Sequence, residues 1–190
     1  MKVIHTKIPD LFIIEPRIFG DKRGFFYESF NQRVWEEKTG LKKMFVQDNH
    51  SRSSHNVLRG LHYQVKQPQG KLIRVIIGKV YDVAVDIRED SPTFGKWEAL
   101  TLSDENKLML WIPEGFAHGF LVLSDIAEFV YKTTDYWAPE YEHTIIWNDP
   151  YLAINWPVDG QPVLSAKDKE GKTWAEAFKK KPELSFNYPE

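Results

Sequence analysis

The sequence contains no cysteine among its 190 residues. This absence excludes disulfide bonds, thiolate nucleophiles and thiolate metal ligands. An excess of positive charge is missing as well, because 25 Lys and Arg against 27 Asp and Glu leave a formal net charge of −2. Such a chain has no excess of Lys and Arg with which to bind the phosphates of a nucleic acid. We therefore expect no nucleic-acid partner. Any anion that binds should be small and should be bound by a few individual Lys or Arg side chains.

Long hydrophobic runs are also lacking. No segment approaches the length of a membrane helix, and the first residues do not have the apolar core of a signal peptide. We expect a cytoplasmic protein without a membrane partner. The hydrophobic fraction of 42% and the charged fraction of 27% are ordinary for a globular protein. The length fits a single domain over residues 1–190.

Helical patterns are few, and strand patterns dominate. Helices are predicted only at residues 31–40, with Asn31 as N-cap, and at residues 173–180. Strands are predicted at residues 12–16, 24–30, 45–51, 58–64, 71–77, 80–87, 98–102, 108–112, 120–123, 127–133 and 144–146. Many short strands with regular turns predict an all-β sandwich or barrel rather than a doubly wound α/β fold.

Two β-branched runs are separated by Gly78 and Lys79, which predicts a tight hairpin with Gly at the first turn position. In that register Lys71 lies opposite Asp86 and shares a largely apolar face with Asp82. A buried lysine is costly unless it pairs with a carboxylate or serves a site. The alternative is an exposed strand end with solvated charges.

The segment Leu58–Gln64 places a cation and an imidazole on one apolar strand. Arg59 has no neighbouring carboxylate in sequence and can meet an external anion, and His62 can act as a base near neutral pH. A packed, hydrogen-bonded histidine is the plainer alternative. Because three positions separate them, a regular strand would point Arg59 and His62 to opposite faces. Both can line one cavity only if the strand bulges near Gly60.

A metal site is poorly supported by the sequence. Residues 113–118 carry the Pro-x-Gly-x-x-His pattern of the second metal-cupin motif, which ends at His118. The first motif is incomplete, because the position two after His62 is Gln64 and no carboxylate follows at the right distance. Two distant histidines are a poor ligand set for a transition metal. No nucleophile elbow and no phosphate-binding glycine loop is present either.

Eight segments, in order along nearly the whole chain, closely resemble the dTDP-4-dehydrorhamnose 3,5-epimerases, a family of cupin-fold enzymes that modify deoxysugar nucleotides. The matching segments are residues 21–28, 45–51, 58–64, 69–75, 82–86, 112–120, 131–136 and 164–168. The resemblance implies a cupin jelly-roll with a few short helices. It also implies a homodimer to which the N-terminal strands contribute, a C-terminal helical extension, and no metal or organic cofactor.

Residue roles follow from the same resemblance. His62 is the implied general base, oriented by Asp168, and Tyr131 is the implied general acid on the opposite sugar face. Lys71 is the implied cation at the C4 oxygen. The further implied substrate-binding residues are Arg23 and Arg59 at the diphosphate; Gln47, Asn49, Glu28 and Phe26 at the nucleotide, some of them across a dimer; and Asp82, His118, Tyr136 and Lys167.

The implied reaction is inversion of C3 and C5 of dTDP-4-dehydro-6-deoxy-D-glucose to give dTDP-4-dehydro-L-rhamnose. The hydrogens on both carbons lie α to the C4 ketone, so a neutral imidazole can remove them and a cation can stabilise the enolate. Three alternatives stay open: an epimerase that inverts only C3 or only C5, a metal-dependent cupin oxygenase or isomerase, and a catalytically silent sugar-nucleotide-binding cupin.

Overall fold

The computed structural model describes residues 1–178 and consists mainly of short strands. The strands are β1 (Lys2–His5), β2 (Phe12–Glu15), β3 (Phe19–Asp21), β4 (Gly24–Phe26), β5 (Gln47–Ser54), β6 (Leu58–Gln64), β7 (Lys71–Ile77), β8 (Lys79–Asp86), β9 (Trp97–Ser103), β10 (Met109–Ile112), β11 (Phe116–Val122), β12 (Ile126–Thr133) and β13 (Glu142–Thr144). The helices are α1 (Gln32–Thr39), α2 (Ala166–Lys169), α3 (Trp174–Ala177) and a 3-10 turn at Pro139–Tyr141.

Eleven of the strands form two antiparallel sheets. One has six strands in the order β1-β2-β10-β7-β12-β5, and the other has five in the order β13-β6-β11-β8-β9, while β3 and β4 form a separate hairpin. Buried apolar side chains from both sheets meet in one cluster, including Ile73 and Val75 from β7 and Val80 and Ala84 from β8. The sheets therefore pack face to face, and the predicted all-β jelly-roll with few helices is confirmed.

The outer faces of both sheets are also covered in part. Trp35 of α1 packs with Phe12 and Trp111 outside the six-stranded sheet. Trp156 and Trp174 from the C-terminal segment pack outside the five-stranded sheet. This second cluster holds the C-terminal segment that carries α2 against β6, which positions Asp168 beside the middle of that strand.

The predicted hairpin at Gly78 and Lys79 is wrong. β7 pairs with β10 and β12, whereas β8 pairs with β11 and β9, so the chain crosses from one sheet to the other at Gly78. Gly78 has φ 79°, and a Cβ there would lie 2.0 Å from the carbonyl oxygen of Ile126. Lys71 consequently faces Ile112 and Thr133 in register, and not Asp86.

The predicted bulge at Gly60 is confirmed. His62 pairs with His118 and Arg59 pairs with Phe120, so three steps along β6 match two steps along β11. Gly60 has φ 107°, and a Cβ there would lie 2.5 Å from the carbonyl oxygen of His118. Because the alternation is broken, Arg59 and His62 line the same cavity.

Several predicted boundaries were wrong. The strand predicted at residues 24–30 ends at Phe26, the one predicted at 45–51 runs from Gln47 to Ser54, and the one predicted at 144–146 lies at Glu142–Thr144. The short elements β1, β3 and α2 had not been predicted, because three or four residues carry too little periodicity. Asn31 caps α1 as predicted, by accepting from the backbone N–H of Val34.

The helix predicted at residues 173–180 covers Trp174–Ala177, and residues 179–180 lie outside the described residues. Among residues 1–178, no helix is long and apolar enough to span a bilayer.

Candidate active site

A cavity of about 310 Å³ opens between the two sheets, beside the Gly60 bulge. Its walls come from β5, β7 and β12 of the six-stranded sheet and from β6, β11 and β13 of the five-stranded sheet. The lining residues are Gln47, Asn49, Ser51, Arg59, His62, Gln69, Lys71, His118, Gly119, Phe120, Phe129, Tyr131, Trp137 and Glu142. Polar and titratable groups thus converge on one space above the stacked rings of Phe120 and Phe129, whose centroids lie 4.4 Å apart.

His62 is held by a buried carboxylate. Its Nε2 lies 2.6 Å from Oδ1 of Asp168, which is only 2% exposed. Burial alone would raise the pKa of Asp168, but hydrogen bonds from His62, from the Ser165 hydroxyl and from the Gly60 backbone N–H hold that pKa below its ordinary value. With Nε2 engaged by an ionised Asp168, the Nδ1 atom is the ring nitrogen left to accept a proton.

A second imidazole–carboxylate pair lies deeper. His118 Nε2 is 2.9 Å from Oδ2 of Asp82, and Asp82 is fully buried. Burial raises the pKa of Asp82 above its ordinary value, against the opposing effects of His118 and Lys71. His118 of this pair lines the cavity on the side of the five-stranded sheet, with Asp82 behind it.

Lys71 brings a cation to the opposite wall. Burial lowers the pKa of Lys71 to about 8, although Glu142 and Asp82 favour its charged form. Within the described part of the chain, its ammonium group forms neither a hydrogen bond nor an ion pair. By solvent exposure Lys71 is half-buried, and it lies close to losing its charge without a direct partner. A cation of this kind is suited to meet a developing negative charge.

Tyr131 lies on β12, in the sheet opposite His62. Burial and the nearby Glu142 raise the pKa of Tyr131, so its hydroxyl keeps its proton at neutral pH. Arg59 is exposed at the mouth of the cavity, where its Nε donates to the Ser53 hydroxyl at 3.1 Å. The terminal guanidinium nitrogens of Arg59 are therefore available for an anion, as predicted from its lack of a neighbouring carboxylate.

Sequence reasoning missed Glu142 and Trp137, two of the lining residues that carry polar groups. The Glu142 Oε1 atom lies 3.9 Å from His62 Nδ1, and its Oε2 accepts from the Trp137 indole N–H and pairs with Lys167. Both residues lie outside the segments that carried chemistry in the sequence. Glu142 enters the cavity because β13 pairs with β6, which brings Thr144 opposite His62 and Glu142 opposite Gln64. A strand of three residues is too short for its pairing to be predicted from the sequence.

The family model for dTDP-4-dehydrorhamnose 3,5-epimerase matches residues 5–176. The chain belongs to this family.

Individual members of the epimerase family are similar over nearly their full length. The dTDP-4-dehydrorhamnose 3,5-epimerase of Pseudomonas aeruginosa is 61% identical over 177 residues, which are 93% of this chain and 98% of that protein. A dTDP-6-deoxy-D-glucose-3,5-epimerase from Legionella pneumophila Philadelphia 1, crystallised with dTDP-4-keto-L-rhamnose, has a TM-score of 0.89 at 58% identity, covering 90% of this chain and 92% of that one.

A 3'-monoepimerase from Streptomyces bikiniensis, in complex with dTDP-quinovose, has a TM-score of 0.86 at 34% identity, covering 93% of this chain and 89% of that one. The same cupin-like fold is therefore shared with an enzyme named for inversion at one carbon. The resemblance predicted from the sequence motifs is confirmed.

Most residues that the epimerase resemblance implied come together. Those lining the cavity are Gln47, Asn49, Arg59, His62, Lys71, His118 and Tyr131. Asp168, Asp82 and Lys167 reach it through His62, His118 and Glu142 respectively.

Four implied residues lie outside this cavity. Arg23 and Phe26 are on the exposed β3–β4 hairpin, where the Arg23 side chain is 90% exposed and pairs with Asp21. Glu28 follows the hairpin and accepts from the Asn31 amide. Tyr136 is exposed beside Trp137 and does not line the cavity.

No cluster of three or more His, Asp or Glu side chains in residues 1–178 is arranged to hold a metal ion. Gln64, at the position of the missing ligand in the metal-cupin pattern, uses its amide to bind the 136–138 loop: Nε2 donates to the Tyr136 carbonyl and Oε1 accepts from the Ala138 backbone N–H.

Proposed function

We propose that this epimerase inverts C3 and C5 of dTDP-4-dehydro-6-deoxy-D-glucose and gives dTDP-4-dehydro-L-rhamnose. One observation carries the proposal: a carboxylate-held imidazole and a protonated phenol line one cavity from opposite sheets. A sugar ring placed between the sheets would present one face to His62 and the other to Tyr131. Inversion at carbon needs this arrangement, since a proton leaves from one face and returns to the other.

His62 is the base in this proposal. The hydrogens on C3 and C5 are acidified by the C4 ketone, and the free Nδ1 of His62 accepts one of them. Asp168 holds the imidazole in place and stabilises the imidazolium that forms. Removing the proton puts negative charge on the C4 oxygen, where Lys71 stabilises the enolate more than the ketone.

Tyr131 then returns a proton to the carbon from the other face. Its raised pKa keeps the hydroxyl protonated until the enolate requires it. The imidazolium of His62 then releases its proton to solvent and the Tyr131 phenolate takes one up, so that the same two steps at the second carbon complete the double inversion.

The nucleotide side of the site is assigned to groups at the mouth of the cavity. Arg59 binds the diphosphate through the paired N–H donors of its planar guanidinium group. Gln47 and Asn49 contact the nucleotide. His118, Asp82 and Lys167 complete the wall around the sugar. Tyr136, exposed beside the mouth, contacts the nucleotide as well.

The three residues on and after the β3–β4 hairpin are assigned to a neighbouring subunit. Arg23, Phe26 and Glu28 lie away from the cavity of their own chain, so we propose that they serve the site of a partner in a homodimer. Cytoplasmic residence is part of the same proposal.

The runner-up is an epimerase of one carbon, a reaction that the Streptomyces bikiniensis likeness makes compatible with the fold. The two are separated by incubating the enzyme with dTDP-4-keto-6-deoxyglucose in deuterium oxide and following the sugar by NMR. We expect deuterium and inversion at both C3 and C5. Label at a single carbon would select the runner-up, and no label at either would exclude the epimerase assignment for this substrate.

Two variants test which residue acts on which face of the sugar ring. His62→Ala should lose exchange at both carbons, by at least the roughly 10²–10⁴-fold typical of a general base. Tyr131→Phe keeps the base and removes the acid, so we expect exchange to continue while inversion fails. Equal loss of exchange and inversion in Tyr131→Phe would contradict the assignment of the two faces.

A further inference from the structure

Glu142 occupies a place in the cavity that the proposed mechanism does not use. It lies on β13 at the edge of the five-stranded sheet, its side chain is 14% exposed, and its carboxylate lines the cavity. Oε1 lies 3.9 Å from Nδ1 of His62, on the side of the ring away from Asp168. The imidazole therefore has a carboxylate near each of its nitrogens.

The other oxygen of Glu142 is fixed by two donors. Lys167 of α2 pairs with Oε2, and the indole N–H of Trp137 donates to it at 3.1 Å. Trp137 is held in turn by a backbone N–H bond to the Gln47 side chain at 3.1 Å. These contacts hold one oxygen at the wall and turn the other toward His62.

We propose that Glu142 is a positioning residue that stabilises the protonated forms of both His62 and Lys71. This inference rests on the proposed function, because it assigns a partner to the proton that His62 takes from the sugar. At 3.9 Å, Oε1 is slightly too far for a hydrogen bond in the resting site and close enough for strong attraction once Nδ1 carries a proton.

Lys71 is the second group that Glu142 serves. After burial, the charge of Glu142 is the largest influence on the pKa of Lys71, and it raises that pKa. One carboxylate thus favours positive charge on the base and on the enolate-stabilising cation. Two further groups act on the pKa of Lys71: Asp82 raises it together with Glu142, and Lys167 lowers it. Glu142 also raises the pKa of Tyr131, after burial.

The test is the pH profile of Glu142→Gln. An amide oxygen can still accept from Trp137, so the substitution removes the charge with little change of shape. Without the charge, the imidazolium and the Lys71 ammonium are both less favoured. We expect the acid and alkaline limbs of the kcat/KM profile to move together to lower pH. Glu142→Asp retains the charge and should return both limbs toward their wild-type positions, even if kcat stays lower.

The matched control is Glu105→Gln, the same change in the exposed turn between β9 and β10, which does not line the cavity, and its profile should match wild type. Solvent deuterium incorporation into the 4-keto sugar is the assay for all four proteins. Wild-type enzyme without incorporation would contradict the proposed function. Active wild type with a Glu142→Gln variant that loses rate while its limbs stay in place would overturn the inference about Glu142, because a merely structural role lowers the rate without moving the limbs.

Discussion

At the scale of single residues, we expect Lys71 to set an upper pH limit on the reaction. Burial lowers the pKa of Lys71 to about 8, so its ammonium is present below that pH and is lost as the pH rises through it. We expect kcat/KM to fall above about pH 8. Lys71→Arg keeps a cation that does not titrate in this range, so the alkaline limb should move to higher pH although the rate drops. An unchanged limb in Lys71→Arg would mean that another group governs it.

The residue scale is also where the sequence was most informative. His62, Arg59 and Lys71 stand in contiguous motifs, so their chemistry could be read before their positions were known. Glu142 and Trp137 could not be found in this way, because each matters only through a neighbour distant in sequence. The side chain of Glu142 reaches the cavity because β13 pairs with β6, and it is held there by an ion pair with Lys167 of α2.

At the scale of elements, the Gly60 bulge decides which side chains share the cavity. Gly60 combines φ 107° with a neighbouring carbonyl oxygen 2.5 Å from where a Cβ would lie. We expect Gly60→Ala to lower the free energy of unfolding by about 2–4 kcal/mol, from backbone strain and crowding, and to disturb both Arg59 and His62. Urea denaturation measures the first effect, and KM and kcat measure the second.

Gly160→Ala is the matched control for Gly60→Ala. Gly160 also has a positive φ, 63°, but nothing lies within 4 Å of a Cβ there. This control should cost only about 1 kcal/mol, for the backbone conformation alone, and should leave kcat unchanged. If both variants lost the same stability, close packing of β6 on β11 would not be the reason for glycine at position 60.

Elements also show where local signals fail. The Gly-Lys pair after β7 has the composition of a two-residue hairpin, yet the chain passes between the sheets there. A corner and a hairpin both need a residue with positive φ, so sequence does not distinguish them. Alternation within β6 was more useful, since it predicted that Arg59 and His62 could meet only through a bulge.

At the scale of the whole molecule, the β3–β4 hairpin is the feature that one chain does not explain. Phe25 and Phe26 are 61% and 67% exposed, and Arg23 stands in solvent between the strands. If the hairpin serves a partner's cavity, Arg23→Ala and His62→Ala should complement each other. Mixing the two inactive variants under subunit exchange should give up to about a quarter of wild-type activity, since half of the dimers are mixed and one of their two sites is intact.

Size-exclusion chromatography checks that the variants in this mixture are dimers. A mixture of dimers that stays as inactive as its components would contradict the placement of Arg23 in the neighbouring site. The sequence motifs implied that some nucleotide contacts cross a dimer, but they did not indicate which. The separation of the hairpin from the cavity of its own chain is the reason for proposing Arg23, Phe26 and Glu28 as the residues that cross.

The stacked rings of Phe120 and Phe129 have a consequence for the stereochemistry of the reaction. Phe120 belongs to the sheet that carries His62, and Phe129 to the sheet that carries Tyr131. Both rings line the cavity between those sheets, with centroids 4.4 Å apart and planes 11° apart. In the proposed mechanism, the gap across which a proton leaves and returns is therefore set by the spacing of the two sheets. Packing that stabilises the sandwich would then also limit the width of the sugar ring that fits between them.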